Sequence, residues 1–94
     1  MNNIKLEIYT PDGTLINDEV YSVTLPGTKG PFTVLNNHGP IISSLKEGII
    51  KYAISIEDSG IRDNKFELYK IEVKGGFVEV NNNIVTVSLE KTIK

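Results

Sequence analysis

Residues Leu25–Pro40 read LPGTKGPFTVLNNHGP, which combines a tight turn, a short apolar strand and a polar corner. Pro26-Gly27 and Gly30-Pro31 are turn pairs, because proline presets φ near −65° and glycine accepts a positive φ. We expect these two pairs to fold the chain back sharply. The β-prone run Phe32–Leu35 follows, and the polar corner Asn36–Pro40 ends it.

Strands are predicted on both sides of this stretch from period-two alternation. Ile4, Leu6 and Ile8 alternate with Lys5, Glu7 and Tyr9, which is typical of a strand with one buried face, and a turn at Pro11-Asp12-Gly13 ends it. The same reasoning predicts further strands at Leu15–Ile16, Glu19–Leu25, Ile41–Lys46, Ile49–Glu57, Phe66–Val73, Phe77–Val80 and Ile84–Leu89.

The connections between these strands carry their own signals. The polar run Asp58–Asn64 predicts a hairpin loop, and Asn81–Asn83 predicts a turn, because asparagine tolerates the left-handed conformation. The apolar pattern changes face at Leu68-Tyr69, which predicts a bulge or bend. Gly75-Gly76 predicts a kink where two backbones pass closely. Phe77, which follows it, is interpreted as a core residue.

The fold class follows from composition as well as from spacing. β-branched residues are abundant, Ala53 is the only alanine, and no segment has a helical apolar stripe. We therefore predict an all-β fold, a flattened β-sandwich or barrel of about 8–10 short strands. With 94 residues, the chain is long enough for one core, so residues 1–94 are predicted to form a single domain.

Charge and composition exclude several classes of function. The net charge of −2 argues against a protein that binds nucleic acid or an anionic membrane directly. The absence of cysteine excludes a disulfide scaffold, a thiolate metal site and a cysteine nucleophile. The N-terminal residues show no signal or transit peptide, and no apolar window is long enough to span a bilayer. We expect a protein that meets a membrane only through other proteins.

No motif predicts catalysis or a cofactor. His38 is the only histidine, and no recognisable nucleophile context surrounds it, so a structural or interface role is favoured over a general base. One histidine and scattered carboxylates do not make a metal site. The turn Gly27-Thr28-Lys29-Gly30 does not have the spacing of a phosphate-binding Walker A loop. We predict no catalytic, cofactor-binding, nucleotide-binding or metal-binding residue.

Three motifs, in order along nearly the whole chain, resemble one known family. They are LEIYTPDG at Leu6–Gly13, the series Val23, Leu25-Pro26-Gly27, Gly30, Phe32, Val34-Leu35, His38, Pro40, Ile42, Leu45, Gly48, and GGFVEVNNNIVTV at Gly75–Val87. Together they resemble the N-terminal β-sandwich domain of the epsilon subunit of F-type ATP synthase, called delta in mitochondria. Pro31 departs from the pattern, because some relatives carry an acidic residue there.

This resemblance implies a non-catalytic rotor subunit of the central stalk. Its partners would be the gamma subunit and the c-ring, and it would couple proton transport to ATP synthesis at the cytoplasmic face of the bacterial inner membrane. The resemblance assigns Thr10, Pro11, His38, Gly39, Pro40, Ile41 and Ile42 to the gamma interface, and Gly27, Thr28, Lys29, Gly30 and Pro31 to a turn that faces the c-ring. The family's C-terminal helical hairpin is missing from these 94 residues, so we expect no hairpin-type inhibition.

Two alternatives stay open at this point. An unrelated β-sandwich that binds a ligand or peptide would present exposed aromatic side chains. A small hydrolase centred on His38 would lose activity on His38→Ala while keeping its fold.

Overall fold

A computed structural model describes residues 3–56 and 65–90, and every regular element in these ranges is a β-strand. Apolar and polar side chains alternate along most of these strands, which gives them one buried side. The strands are β1 (Ile4–Thr10), β2 (Gly13–Val20), β3 (Ser22–Gly27), β4 (Gly30–Val34), β5 (Ile41–Leu45), β6 (Gly48–Ile56), β7 (Lys65–Val73), β8 (Gly76–Asn81) and β9 (Ile84–Leu89).

The nine strands form one sheet that bends into two layers. The first layer has the order β2-β1-β9-β8-β5, and the second has the order β4-β3-β6-β7. The layers are joined by the pairing of Gly27 in β3 with Leu45 in β5. On the other side of the molecule β2 packs against β6. The sheet is therefore curled and flattened, which confirms the predicted all-β sandwich.

The core lies between the two layers and is formed by the inward residues of both. Burying a large aliphatic side chain contributes about 1.5–3 kcal/mol, so this cluster dominates the stability of the fold. None of the described polar or charged side chains is buried. The buried cluster comprises Ile4, Leu6, Ile8, Val20, Val23, Leu25, Val34, Leu45, Ile50, Tyr52, Val73, Val78, Val80, Val85, Val87 and Leu89.

The bulge predicted at Leu68-Tyr69 is wrong. β7 pairs with β6 from Lys65 to Val73 without a shift in register. Leu68 lies on the solvent side of this regular strand and is 77% exposed, whereas Tyr69 lies on the other side. Two adjacent apolar residues therefore need no bulge here, because Leu68 is left in solvent and Tyr69, itself 38% exposed, stacks on Tyr52 on the other side of the strand.

The turns predicted within the described ranges are confirmed. Gly27 pairs with Gly30 at the base of the β3–β4 hairpin. Asn82 and Asn83 have φ values of 51° and 63°, as an asparagine turn requires. The predicted hairpin loop Asp58–Asn64 lies outside the described residues. That residues 1–94 form a single domain stays a prediction.

The kink predicted at Gly75-Gly76 is also confirmed. The two glycines have φ values of 146° and 156°. A Cβ placed on Gly76 would overlap the carbonyl oxygen of Ser88 and would lie 3.0 Å from the Cα of Leu89. Only a residue without a side chain allows β8 to approach β9 this closely.

Candidate functional site

The β3–β4 hairpin projects at one end of the molecule. The backbone N–H of Thr28 donates to the carbonyl oxygen of Ser44 (3.0 Å), and the hydroxyl oxygens of the two residues lie 2.8 Å apart. Lys29 is exposed at the turn, as are Thr28 and Pro31. These contacts fasten a short polar tip to the adjacent strand β5.

Gly27 differs from the rest of the predicted ring-facing turn because it is buried. A Cβ on Gly27 would lie 2.8 Å from the carbonyl oxygen of Gly30 and 3.0 Å from the ring of Phe32. Gly27 therefore shapes the hairpin rather than its surface. The accessible part of the predicted set runs from Thr28 to Pro31.

The histidine corner lies at the opposite end of the sheet and is tied to the β8–β9 turn. Asn37 has a φ of 65°, and its backbone N–H donates to the side-chain oxygen Oδ1 of Asn83 (2.7 Å). The backbone N–H of His38 donates to the carbonyl oxygen of Leu35 (3.2 Å), and its ring Nδ1 lies 2.8 Å from the carbonyl oxygen of Gly39. A carbonyl oxygen only accepts, so Nδ1 carries the proton in this contact. The half-buried ring is held in place by its own turn.

Thr10 and Pro11 lie far from this corner, although both belong to the predicted gamma-facing set. β1 begins beside the β8–β9 turn, where the N–H of Lys5 donates to the carbonyl oxygen of Asn83 (2.9 Å). It ends at Thr10, whose hydroxyl donates to the carbonyl oxygen of Gly13 (3.2 Å). The five residue-to-residue steps from Lys5 to Thr10 span about 17 Å. The predicted set therefore divides into two groups at opposite ends of one layer.

The surface between these two ends is the outward side of β5, β8, β9 and β1, here called the acidic face. Ile42 is 83% exposed and Phe77 is 56% exposed on it. Phe77 pairs with Ser44, so Ile42 is its diagonal neighbour across the two strands. The outward residues of the acidic face are Lys5, Glu7, Tyr9, Ile42, Ser44, Phe77, Glu79, Asn81, Ile84, Thr86 and Ser88.

The charges of the acidic face are unevenly paired. The Nζ atom of Lys5 lies 3.4 Å from the Oε2 atom of Glu7. The hydroxyl of Tyr9 donates to the same carboxylate (3.1 Å), and this hydrogen bond raises the pKa of Tyr9. Glu79 lies directly opposite Ile42, and within the described residues no ion pair or hydrogen bond engages its carboxylate. The exposed apolar pair is therefore bordered by a negative charge.

The interpretation of Phe77 as a core residue is wrong. The buried residues of β8 are Gly76, Val78 and Val80, and Phe77 shares the outward side with Glu79. The alternation in FVEV predicts this placement, because the phenylalanine and the glutamate are two residues apart and therefore lie on the same side of the strand. Neither Phe77 nor Glu79 was among the predicted interface residues, although they occupy the centre of the acidic face.

An open depression of about 430 Å³ lies next to Ile42 and Glu79, between β5 and the end of β8, with Pro40 at its rim. In the part of the chain described by the structure, no group of three or more His, Cys, Asp or Glu residues is placed to hold a metal ion. No helix in the described ranges is long and apolar enough to cross a membrane. What this arrangement offers chemically is a rigid binding surface with apolar and acidic parts.

Residues 3–94 match the family model described as ATP synthase, delta/epsilon chain, β-sandwich domain. The chain belongs to this family. It is 39% identical to the ATP synthase epsilon chain of Desulfitobacterium hafniense over 82 residues, which cover 87% of this chain and 54% of that relative. It is 38% identical to the ATP synthase epsilon chain of Sulfurimonas denitrificans over 93 residues, which cover 99% of this chain and 65% of that relative. The predicted resemblance is confirmed.

Two solved structures contain a chain with the same fold. The chain matches part of the Tetrahymena thermophila mitochondrial ATP synthase central stalk/c-ring structure, with a TM-score of 0.72 and 15% identity over 96% of this chain and 65% of that one. It also matches part of the Euglena gracilis mitochondrial OSCP/F1/c-ring assembly, with a TM-score of 0.73 and 24% identity over 93% and 50%. At these identities the likeness shows the fold alone.

The chain spans between about half and two thirds of the length of these epsilon-chain relatives. A match over this share of their length carries the domain family and not the partners of the whole relatives. The gamma-facing and ring-facing assignments of individual residues likewise stay predictions.

Proposed function

We propose that this chain is a non-catalytic subunit of the central stalk of an F-type ATP synthase, and that it links the gamma subunit to the c-ring. In this role it turns with the rotor and couples proton transport to ATP synthesis. Its location is peripheral, at the cytoplasmic face of the bacterial inner membrane, and it reaches the membrane only through the ring.

One observation carries the gamma side of the proposal. Ile42 and Phe77 are large apolar side chains held next to each other in solvent on a regular, hydrogen-bonded sheet. Interfaces obtain most of their free energy from a few such residues once water is excluded around them. Full burial of each would contribute about 1.5–3 kcal/mol, with little loss of backbone freedom because the strands are already ordered.

The histidine corner extends this interface at one end. His38 is fixed by its backbone and ring contacts, and Gly39 and Pro40 beside it are exposed. We assign His38–Ile42 to the gamma contact. Thr10 and Pro11 join it only if gamma lies along β1 for about 17 Å, which is the length of roughly eleven helical residues.

The opposite end supplies the contact with the ring. The tip Thr28–Pro31 projects from the β3–β4 hairpin and is fastened to β5 through Ser44. Gamma and the ring are then held at different parts of one close-packed body. A close-packed interior is barely compressible, so it can transmit torque between the two contacts.

Affinity measurements with the gamma subunit from the same organism test this proposal. The wild-type chain should bind gamma. His38→Ala should weaken the binding, and Ile42→Asp should weaken it by about 30-fold or more, equivalent to about 2 kcal/mol, because it places a charge in an apolar contact. Leu68→Asp is the matched control, since Leu68 is similarly exposed (77% against 83% for Ile42) but lies on the other layer.

Failure of the wild-type chain to bind gamma would refute the stalk assignment. Loss of a hydrolytic activity on His38→Ala, with gamma binding unchanged, would favour the hydrolase alternative instead. Equal weakening by Ile42→Asp and Leu68→Asp would show that the contact is not made by the acidic face.

A further inference from the structure

The second layer has an outward side that the proposed function does not use. It is formed by β3, β6 and β7 and is here called the basic face. Among the described residues, its charged side chains are two lysines and one glutamate, the reverse of the acidic face. The outward residues of the basic face are Ser22, Thr24, Ile49, Lys51, Ala53, Ser55, Phe66, Leu68, Lys70 and Glu72.

Two lysines lie directly opposite each other at the centre of this face. Lys51 of β6 pairs with Lys70 of β7, so their Cβ atoms are about 4.5–5.5 Å apart, and like charges in this position are destabilising. Among the described residues, no carboxylate lies within ion-pair distance of either lysine; the ion pairs there join Lys5 to Glu7 and Lys74 to Glu47.

Glu72 does not neutralise the pair. It lies opposite Ile49, diagonal to Lys51 and two residues after Lys70 on the same side of β7, but within the described residues it forms an ion pair with neither lysine. The centre of the basic face therefore keeps a local excess of positive charge on an otherwise acidic protein.

A groove of about 150 Å³ lies beside the lysine pair. Leu68 forms one wall and is 77% exposed, and Ala53, which is opposite it in the ladder, belongs to the lining. Ser22 and Thr24 of β3 contribute the other wall. A space of about 150 Å³ is large enough for one benzene-sized group, so it can take a single apolar side chain.

Apolar side chains continue on both sides of the lysines. Phe66 is exposed beyond Leu68. The centroid of its ring lies 4.9 Å from that of Tyr21, and the two ring planes are inclined at 45°. Ile49 is exposed on the other side. Along β6 and β7 the surface therefore reads apolar, basic, apolar.

We propose that the basic face is a docking site for an acidic segment of a protein partner, distinct from the gamma contact. Carboxylates of that segment lie over Lys51 and Lys70, and an apolar side chain next to them enters the groove beside Leu68. The charge pattern carries this assignment, because an acidic partner removes the repulsion between the two lysines when it binds.

Other occupants fit this surface less well. A symmetric contact with a second copy would place the lysine pair against itself or near it, since the same patch is used on both chains. An anionic bilayer is typically recognised by four to eight basic residues, whereas the described residues of this face include two, together with Glu72.

NMR titration of the labelled chain with two synthetic peptides tests the proposal. The probe is a twelve-residue peptide of alternating aspartate and leucine, and its control replaces every aspartate with lysine. The aspartate peptide should bind saturably and shift the signals of Lys51, Leu68 and Lys70. Its affinity should fall with added salt and drop at least tenfold in the double variant Lys51→Glu/Lys70→Glu.

Two further variants make the result specific. Lys74→Glu should leave peptide binding unchanged, because Lys74 lies outside the groove and pairs with Glu47. The double variant should keep the gamma affinity of the wild type, which separates this site from the acidic face.

The proposal is overturned if the aspartate peptide does not saturate, if the lysine peptide binds equally well, or if the double variant binds like the wild type. Lysine-dependent binding to phosphatidylserine vesicles without peptide binding would identify a lipid surface as the occupant. Concentration-dependent dimerisation that the double variant abolishes would identify a second copy. Either outcome also overturns the proposal.

Discussion

The acidic and basic faces lie on opposite sides of one core, yet they leave different chemistry in solvent. On the acidic face, Lys5 pairs with Glu7, and within residues 3–56 and 65–90 no cation pairs with Glu79 beside the exposed Ile42. On the basic face, Lys51 and Lys70 stand opposite each other. The inward half of each strand is constrained by the shared core. The outward half is not, and it is there that the two layers differ.

The largest expected effect is on the layer that carries the acidic face. Gly76→Ala should lower the free energy of unfolding by about 3 kcal/mol or more, because it combines an unfavourable φ with overlap against the carbonyl oxygen of Ser88. Chemical denaturation measures this loss. Gly13→Ala is the control, since Gly13 has a φ of 130° but open space around it, so it should lose only about 1–2 kcal/mol.

Hydrogen exchange on Gly76→Ala sharpens the comparison between the layers. Because both layers contribute to one core, amides of β3 and β6 should lose protection together with those of β8 and β9. Loss confined to β8 and β9 would mean that the two faces belong to independently stable units.

The next effect concerns the centre of the acidic face. Phe77→Ala should weaken gamma binding by about 30-fold, near 2 kcal/mol, while stability changes by less than about 0.5 kcal/mol because the side chain is exposed. Combined with Ile42→Ala, the loss should be less than the sum of the two single losses, since diagonal neighbours share one contact. Fully additive losses would argue against a common apolar patch.

A smaller effect tests the repulsion on the basic face. Lys70→Glu should raise the free energy of unfolding by roughly 0.2–1 kcal/mol, because it replaces a like-charge pair with an opposite-charge pair across from Lys51. Lys74→Glu should have the opposite sign, since it removes the exposed pair with Glu47 at 3.2 Å. Urea denaturation at low and high salt measures both, and the gain on Lys70→Glu should shrink as salt is added.

The smallest effect concerns the interior that the two faces share. Burial raises the pKa of Tyr52 above its ordinary value of 10.0, and Asp18 and Tyr69 raise it further. The folded state therefore favours the protonated phenol, so stability is lost as the pH rises from 10 through the folded pKa. In Tyr52→Phe, the free energy of unfolding should fall less between pH 8 and pH 11 than in the wild type. An equal fall in both would mean that Tyr52 does not contribute.

Alternation and turn chemistry predicted most of the fold. Ile4, Leu6 and Ile8 are buried as expected, and the turn at Pro26–Pro31 and the kink at Gly75-Gly76 are where glycine and proline indicated. These features are local, so they can be read within a few residues of chain.

The predictions that the structure corrects concern apolar residues at Phe77 and Leu68. Phe77 and Leu68 are both large and apolar, but each falls on the outward parity of its strand. The alternation around Phe77 predicts the outward side, which is correct, whereas its hydrophobicity alone predicts the core. At an interface residue, the apolar side chain favours the core while the alternation places it on the outward side, so the two signals disagree.

The layout of the candidate site depends on strand order, which no local pattern contains. Thr10-Pro11 and His38 lie at opposite ends because β1 is parallel to β9 and the histidine corner packs against Asn83. Likewise, the lysine pair exists only because β6 and β7 align Lys51 with Lys70. Contacts of this kind are set by register between distant segments.

The join between the two layers lies directly under the β3–β4 tip. Gly27 pairs with Leu45 there, and the N–H of Lys46 donates to the carbonyl oxygen of Pro26 (2.9 Å). A load applied at Lys29 therefore enters both layers at once instead of passing from one to the other through the core. Neither layer has to slide over the other to carry the load. The sandwich can therefore resist a force applied at this tip even though its core is small.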